Sequence, residues 1–203
     1  MAKRLSNIAE LTSGSPQFRI TESTAPDAPA YSFYEQSDIA DDLTGIDSRH
    51  DMSSSAHNLR KQVRTKDSVK TLGENDIIFS LISGEAAIIR RNHVGLLYTQ
   101  NYVKITLRAS NREVAVAARY LVYLLNNDAN VNRQLHRGLQ GSQVLKYTVK
   151  QLSELKLQQS PPFETQQLIG NVYFDQLRLA ALRHRVADNS SILILNIMKE
   201  ALQ

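Results

Sequence analysis

The sequence predicts an α+β protein: one domain on a small mixed or antiparallel sheet with helices, then a long C-terminal coiled-coil helix. Three observations predict it. Strict alternation in "YVKITLR" sets Val103, Ile105 and Leu107 on one face of a strand and Lys104, Thr106 and Arg108 on the other. Val114, Ala117, Ala118, Leu121, Leu124 and Leu125 follow the helical period. After Ser160-Pro161-Pro162 the chain runs to its end without another proline, with apolar residues on alternating three- and four-residue steps.

The elements follow in order. "LSNIAELTSGSPQFRI" is a short element closed by a Ser/Gly/Pro turn, and residues 21–29 form a loop rich in Thr, Ser and Pro. "AYSFYEQSDI", with three aromatics, predicts a strand. "DIIFSLI" and "AIIRR" are apolar runs around the turn "SGEA", and "GLLYT" and "YVKITLR" follow. Asn111 is placed to cap the next helix, and "ANVNRQLHRG" is a second helical piece ending at Gly138. This domain is expected to span 1–158, and the helical arm 159–203.

Pro161 or Pro162 suits the first turn of the arm, and Glu164 suits the positive end of its dipole. Leu168, Val172, Leu179, Leu182, Val186 and Leu193 form a seam, with Asp175, Asn189 and Asn196 as its polar members. At 1.5 Å per residue such a helix reaches about 60 Å, too long to fold back along its whole length on a small domain. Its seam therefore predicts pairing with another chain, the alternative being an amphipathic helix packed on its own domain. Gly170 and Asn189-Ser190-Ser191 are the weak points where a bend is expected.

Composition bounds the function. The 203 residues contain no cysteine, which excludes disulfides and cysteine metal sites and fits a reducing cytosol. The N-terminus lacks a signal-peptide core, and no window of 18 apolar residues predicts a membrane span, so a cytoplasmic protein is expected. The net charge of +4 hides two opposite blocks. "EQSDIADDLTGIDSRHD" is acidic, and "RKQVRTKDSVK" is basic, either a solvated surface or a strip for phosphates.

Ser160-Pro161-Pro162-Phe163 is similar to the base-binding tetrapeptide of DNA amino-methyltransferases, but no two of the eight glycines are separated by a single residue. No G-x-G turn exists to hold S-adenosylmethionine, and the tetrapeptide opens a helix. There is no phosphate-binding G-x-x-x-x-G-K-[ST] loop, no G-x-S-x-G elbow and no metal spacing among the five histidines. Asp41-Asp42 reads as a solvated turn. No catalytic residue and no metal site is therefore expected. What remains is polar and basic loops. The Ser83-Gly84 turn lets backbone N–H groups approach a phosphate, or is an ordinary hairpin. In "YTQNY", Gln100 and Asn101 suit adenine edges, or satisfy a structural turn. "RQLHRGLQGSQ" joins Arg133, His136, Arg137, Gln140 and Ser142 around two glycines, a chemistry suited to phosphate and base edges.

Taken together, "ENDIIFSLISGEAAIIRR", "ARYLVYLLNND", "LQGSQVLKYTVKQLSELKLQQSPPFETQQLIGNVY" and the opening "LSNIAELTSG" resemble the target-recognition domain and conserved helix of specificity subunits of type I restriction–modification enzymes. The match covers nearly the whole chain and is weakest over 20–70. The resemblance implies a non-catalytic subunit that reads double-stranded DNA and holds methyltransferase subunits, which carry the S-adenosylmethionine, and that can recruit restriction subunits. It needs no cofactor of its own. Full subunits carry two recognition domains and two helices; here there is one of each. The expectation is a homodimer, or pairing with another specificity subunit, through 164–203. Arg60, Lys61, Arg64 and Lys66, with Arg90 and Arg91, are the expected phosphate contacts. Gln100, Asn101, Arg133, Arg137, Gln140 and Ser142 are the expected register and base contacts, and Ser83, Gly84 and His136 complete the expected DNA-binding set. A stand-alone dimeric DNA-binding regulator, or a decoy that binds methyltransferase subunits, are the alternatives.

Overall fold

The computed structural model describes residues 3–47, 60–108, 116–137 and 146–202. A four-stranded antiparallel sheet organises the domain, in the order β2 (Ala9–Ser13), β7 (Tyr102–Leu107), β5 (Ile77–Ser80), β6 (Ala86–Ile88). The predicted alternation in β7 holds: Val103 and Ile105 are buried and Thr106 is exposed. β5 is buried along its whole length, which explains why "IIFS" shows no alternation. A two-stranded piece, β3 (Ala30–Ser32) with β4 (Gln62–Arg64), lies to one side. β1 (Lys3–Arg4) pairs with β8 (Lys156–Leu157). The Leu5 N–H of α1 (Leu5–Ile8) donates to the Leu155 carbonyl, which ties the chain start to the segment that enters the long helix.

Two expectations are corrected. "AYSFYEQSDI" is a strand only as far as Ser32; from Gln36 it is α2 (Gln36–Thr44). The Glu35 N–H donates to the Asp38 carboxylate at 2.8 Å, a capping box that outweighs the β propensity of the aromatics. The next helix begins at Ala118, as α3 (Ala118–Asn127), rather than near Asn111, which lies outside the described residues with Val114 and Gly138. α3 starts there because the Ala117 N–H has a partner: it donates to Oε1 of buried Gln166, whose Nε2 donates to the Pro161 carbonyl. α4 (Ala129–Arg137) and α5 (Val149–Glu154) complete the domain. Asp128 opens α4 by accepting from the Asn130 and Val131 N–H groups.

The long helix is α6 (Phe163–Ala201), continuous through both predicted weak points. Gly170 serves packing, not a bend. A Cβ there would lie 2.6 Å from Cβ of Arg119 and 2.8 Å from the Tyr120 nitrogen, so α6 crosses α3 almost backbone to backbone. Gln166, Gly170 and Phe174 face the domain and are buried, while Leu168, Val172 and Asp175 face away. The Arg119 guanidinium lies 5.2 Å over the Phe174 ring, and Asn126 receives the edge of the sheet: Ala86 N–H donates to its Oδ1, and its Nδ2 donates to the Ala86 carbonyl and to the Tyr173 hydroxyl. From Arg178 to Leu202 no residue is buried. Thus the first turns of α6 belong to the domain core and the rest projects as an arm. Among the described residues no helix is long and apolar enough to cross a membrane.

Three buried tyrosines set an alkaline limit. Burial, with nearby carboxylates, pushes Tyr98 and Tyr102 up to about 12, and pushes Tyr34 further, aided by Asp42. The unfolded chain ionises these phenols near their ordinary value of about 10, so it sheds protons before the folded state does. Their contribution is fully present below about pH 10 and is lost as pH rises toward about 12. Denaturant midpoints should hold to about pH 10 and then fall steeply. A midpoint unchanged up to about pH 12 would contradict the burial of these phenols.

Candidate nucleic-acid interface

The antiparallel pairing of β5 with β7 brings the turn after Ser80 and the turn before Tyr102 to one end of the sheet. Ser83, Gly84, Gln100 and Asn101 therefore meet there, although 17 residues separate Ser83 from Gln100. Tyr147 joins the same end. Its N–H donates to the Leu81 carbonyl, its ring lies edge-on to Phe79, and His136 of α4 stands against it. Lys146 Nζ donates to Oδ1 of Asn101 at 2.7 Å and is exposed. Ser15 holds a further strand of chain in place: its carbonyl accepts from the Gln100 N–H and its Oγ from the Lys70 N–H. Lys70, exposed, reaches the Ser13 carbonyl. Beside it a groove of about 190 Å³ runs between Gly14, Arg19 and Lys70, and Arg19 stacks on the exposed Phe18 ring. Cations, amides and an exposed aromatic thus share one surface, the combination that suits phosphates and base edges.

The predicted residues divide on this geometry. Gln100 presents an exposed side chain, and Arg133, His136 and Arg137 are exposed on α4, though His136 Nδ1 is within 2.7 Å of the Asn132 carbonyl. Gln140 and Ser142 lie outside the described residues. The Ser83-Gly84 backbone does not form an open phosphate cradle. The Ser83 N–H donates to Ser80 Oγ and the Gly84 N–H to the Ser80 carbonyl. Gly84, at φ 78°, is glycine because a Cβ would meet the Tyr147 ring at 2.6 Å. Lys61, Arg64 and Lys66 are exposed along β4, Lys61 over Phe33 and Lys66 paired with Asp27. Arg60 turns inward instead, 2.6 Å from the buried Asp38. Arg90 and Arg91 lie at the opposite end of the β5–β6 hairpin, where Arg90 Nε donates to the Asp42 carbonyl and Arg91 pairs with Glu74. Burial lowers the Arg90 guanidinium from its ordinary value. Both line a cleft of about 760 Å³ at the base of α6, where Arg119 joins them and Asp41, Asp47 and Glu74 balance the charge. Arg19, Lys70 and Lys146 were not among the residues singled out. Lys70 had a signal, as the last residue of the basic run; Lys146 had none.

The acidic block also differs from expectation. Asp41 and Asp42 are not a solvated turn but buried residues of α2, with Asp38 one turn away. Asp42 Oδ2 accepts from the Tyr34 hydroxyl at 2.8 Å, and its Oδ1 accepts from the Arg90 N–H and faces His93 Nδ1 at 2.9 Å. His93 Nε2 lies 3.6 Å from Asp38 Oδ1. Asp38, Asp41 and His93 bring ligand atoms within 4.8 Å of one another. Both ring nitrogens already face carboxylates, and Asp38 receives Arg60, so the arrangement is a core network of hydrogen bonds and ion pairs.

A small antiparallel α+β domain that continues into one long helix is the fold of solved S subunits, HsdS, of type I restriction–modification systems. No family model and no curated protein matches the sequence. Among solved structures, the HsdS subunit from Thermoanaerobacter tengcongensis matches with a TM-score of 0.54 at 16% identity, over 91% of this chain and 39% of its own. A chain from a structure on complex assembly and conformational transition of the type I R–M system matches with a TM-score of 0.60 at 17% identity, over 100% of this chain and 48% of its own. The type I S subunit from M. genitalium gives 0.48 and 14%. This chain spans less than half the length of each.

Proposed function

We propose that the chain is a non-catalytic DNA-recognition subunit of a type I restriction–modification system, active in the cytoplasm. It reads DNA with the loop-bearing end of the sheet and, through α6, pairs with another such unit to read a bipartite target. Methyltransferase subunits, which supply the S-adenosylmethionine, are positioned by the pair; the chain itself takes no cofactor. The fold likeness over 91–100% of the chain carries the reading. The surface of Arg19, Lys70, Gln100 and Lys146 supports it, as does the unburied arm. Lys61, Arg64, Lys66, Arg133 and Arg137 extend the cationic surface.

The test is selection from a randomised duplex pool, with and without a type I methyltransferase subunit. One sequence should be enriched, and the selected duplex should bind with a steep salt dependence. Substituting Lys70→Gln and Lys146→Gln together should weaken binding and reduce the slope of log K against log salt by about 2, one for each lost phosphate contact. Enrichment of nothing, or binding indifferent to salt, would remove the DNA reading. Enrichment by the chain alone, with no uptake of methyltransferase subunits, would favour a stand-alone regulator.

A further inference from the structure

We infer that the β3–β4 ribbon enters the major groove of the target and that two of its side chains read base edges there, Arg64 a guanine and Gln62 an adenine. This rests on the DNA reading proposed above and names residues that set its specificity. The register places Ser32 opposite Gln62, Tyr31 opposite Val63 and Ala30 opposite Arg64. Side chains alternate between the two faces of a strand, so Gln62, Arg64, Ser32 and Ala30 share one face and Tyr31 and Val63 the other. Gln62 and Arg64 are exposed, whereas Tyr31 and Val63 are half-buried. The ribbon is held in place from several sides. The Ser23 N–H donates to the Arg64 carbonyl at 2.8 Å, the Thr65 N–H to the Pro29 carbonyl and the Phe33 N–H to the Lys61 carbonyl. Thr65, the neighbour of Arg64, is fully buried. The Leu97 N–H donates to the Ser32 carbonyl, which ties the ribbon to the segment that leads to Gln100.

The side chains of the basic run divide by what they touch. Arg60 pairs with Asp38, Lys66 with Asp27, and Lys61 lies over the Phe33 ring. Among the described residues, neither the Arg64 guanidinium nor the Gln62 amide has a hydrogen-bond or ion-pair partner. Both are forked groups. A guanidinium can donate to O6 and N7 of guanine together, and an amide can pair with N6 and N7 of adenine. A strip that tracks phosphates would repeat cations along its face. This face instead sets one guanidinium among an amide, a hydroxyl and a methyl group. The dimensions agree. Two paired strands lie about 5 Å apart and fit a major groove about 12 Å wide, whereas the minor groove, at about 6 Å, excludes them. Residues 62 and 64 stand about 7 Å apart along the strand, which spans two base steps of about 3.4 Å. Lys61 and Lys66 bracket the pair in sequence and supply attraction to phosphates that carries no sequence information. Arg64, expected from the sequence as a phosphate contact, thus becomes a base contact.

The experiment repeats the duplex selection with Arg64→Lys and Gln62→Ala, each in the full chain and with the methyltransferase subunit used for the wild type. Lysine keeps the charge and loses the fork, so a phosphate contact survives the change and a guanine contact does not. Arg64→Lys should bind the wild-type target at least about tenfold more weakly. The pool it selects should lose a guanine at one position and keep the others. Gln62→Ala should lose an adenine about two base pairs from that guanine. Both side chains are exposed, so circular dichroism and urea midpoints should match the wild type. Two results overturn the inference. One is selection of the wild-type sequence by both variants with unchanged affinity. The other is an Arg64→Ala chain that binds every duplex more weakly to the same degree and lowers the salt slope by about 1, the mark of a phosphate contact. A wild-type chain that enriches no sequence removes the DNA reading and the ribbon's role with it. A wild-type chain that selects a target shared by the ribbon variants removes the ribbon's role alone.

Discussion

Replacing Asp42 with Ala should destabilise the fold by about 3–5 kcal/mol, enough to unfold many domains of this size at 37 °C. The carboxylate is fully buried and holds three groups that have no water to turn to: the Tyr34 hydroxyl, the Arg90 N–H and the His93 ring. Removing it leaves buried donors unsatisfied, which costs far more than the net value of any one hydrogen bond. Asp42→Asn should recover little, because its amide sets a second donor against those already there. The measurement is the urea midpoint, with Glu74→Ala as control. Glu74 pairs with Arg91 in solvent, and exposed pairs contribute about 0–1 kcal/mol. A loss below about 1 kcal/mol for Asp42→Ala would mean that the network does not hold the core.

The second large effect is on assembly. A chain carrying Leu179→Asp and Leu182→Asp should remain folded and become monomeric. Both leucines lie on the exposed arm beyond the domain core, so their loss costs the domain little. In the proposed pair both lie on the seam, where the new carboxylates of the two chains would be desolvated. At about 3–5 kcal/mol for an uncompensated buried charge, the dissociation constant should rise by about 10³-fold or more. Light-scattering mass with circular dichroism checks it: an unchanged spectrum with halved mass is expected, and an unchanged mass would place the interface elsewhere.

The acidic block and the basic strip show where sequence reasoning stops. "EQSDIADDLTG" looks solvated because its partners are distant in sequence. They arrive from 22 residues away with the Arg60 guanidinium, 48 with the Arg90 N–H and 51 with the His93 ring, and only the folded chain shows that the acids point inward. Arg60 was read as a phosphate contact for the same reason. Gly170 looked like a break in the helix, because the neighbour that requires it, Arg119, is on another helix. The Ser83-Gly84 turn looked open, because the Ser80 hydroxyl and the Tyr147 ring that fill it are invisible in the motif.

The sequence by itself determined what depends on local period and local chemistry. The alternation in β7, the helical runs and the proline-free arm after Pro162 each place their own backbone, since strand and helix repeats are properties of neighbouring residues. The seam of α6 is equally local, and the structure leaves its residues exposed on a continuous helix. Tertiary structure alone decided which charges are spent inside and which remain for a partner. It buried Asp42, turned Arg60 and Arg90 toward the acids of α2, and gathered Arg19, Lys70, Gln100 and Lys146 at one end of the sheet. Those outcomes depend on distances between residues far apart in the chain, and only packing sets them.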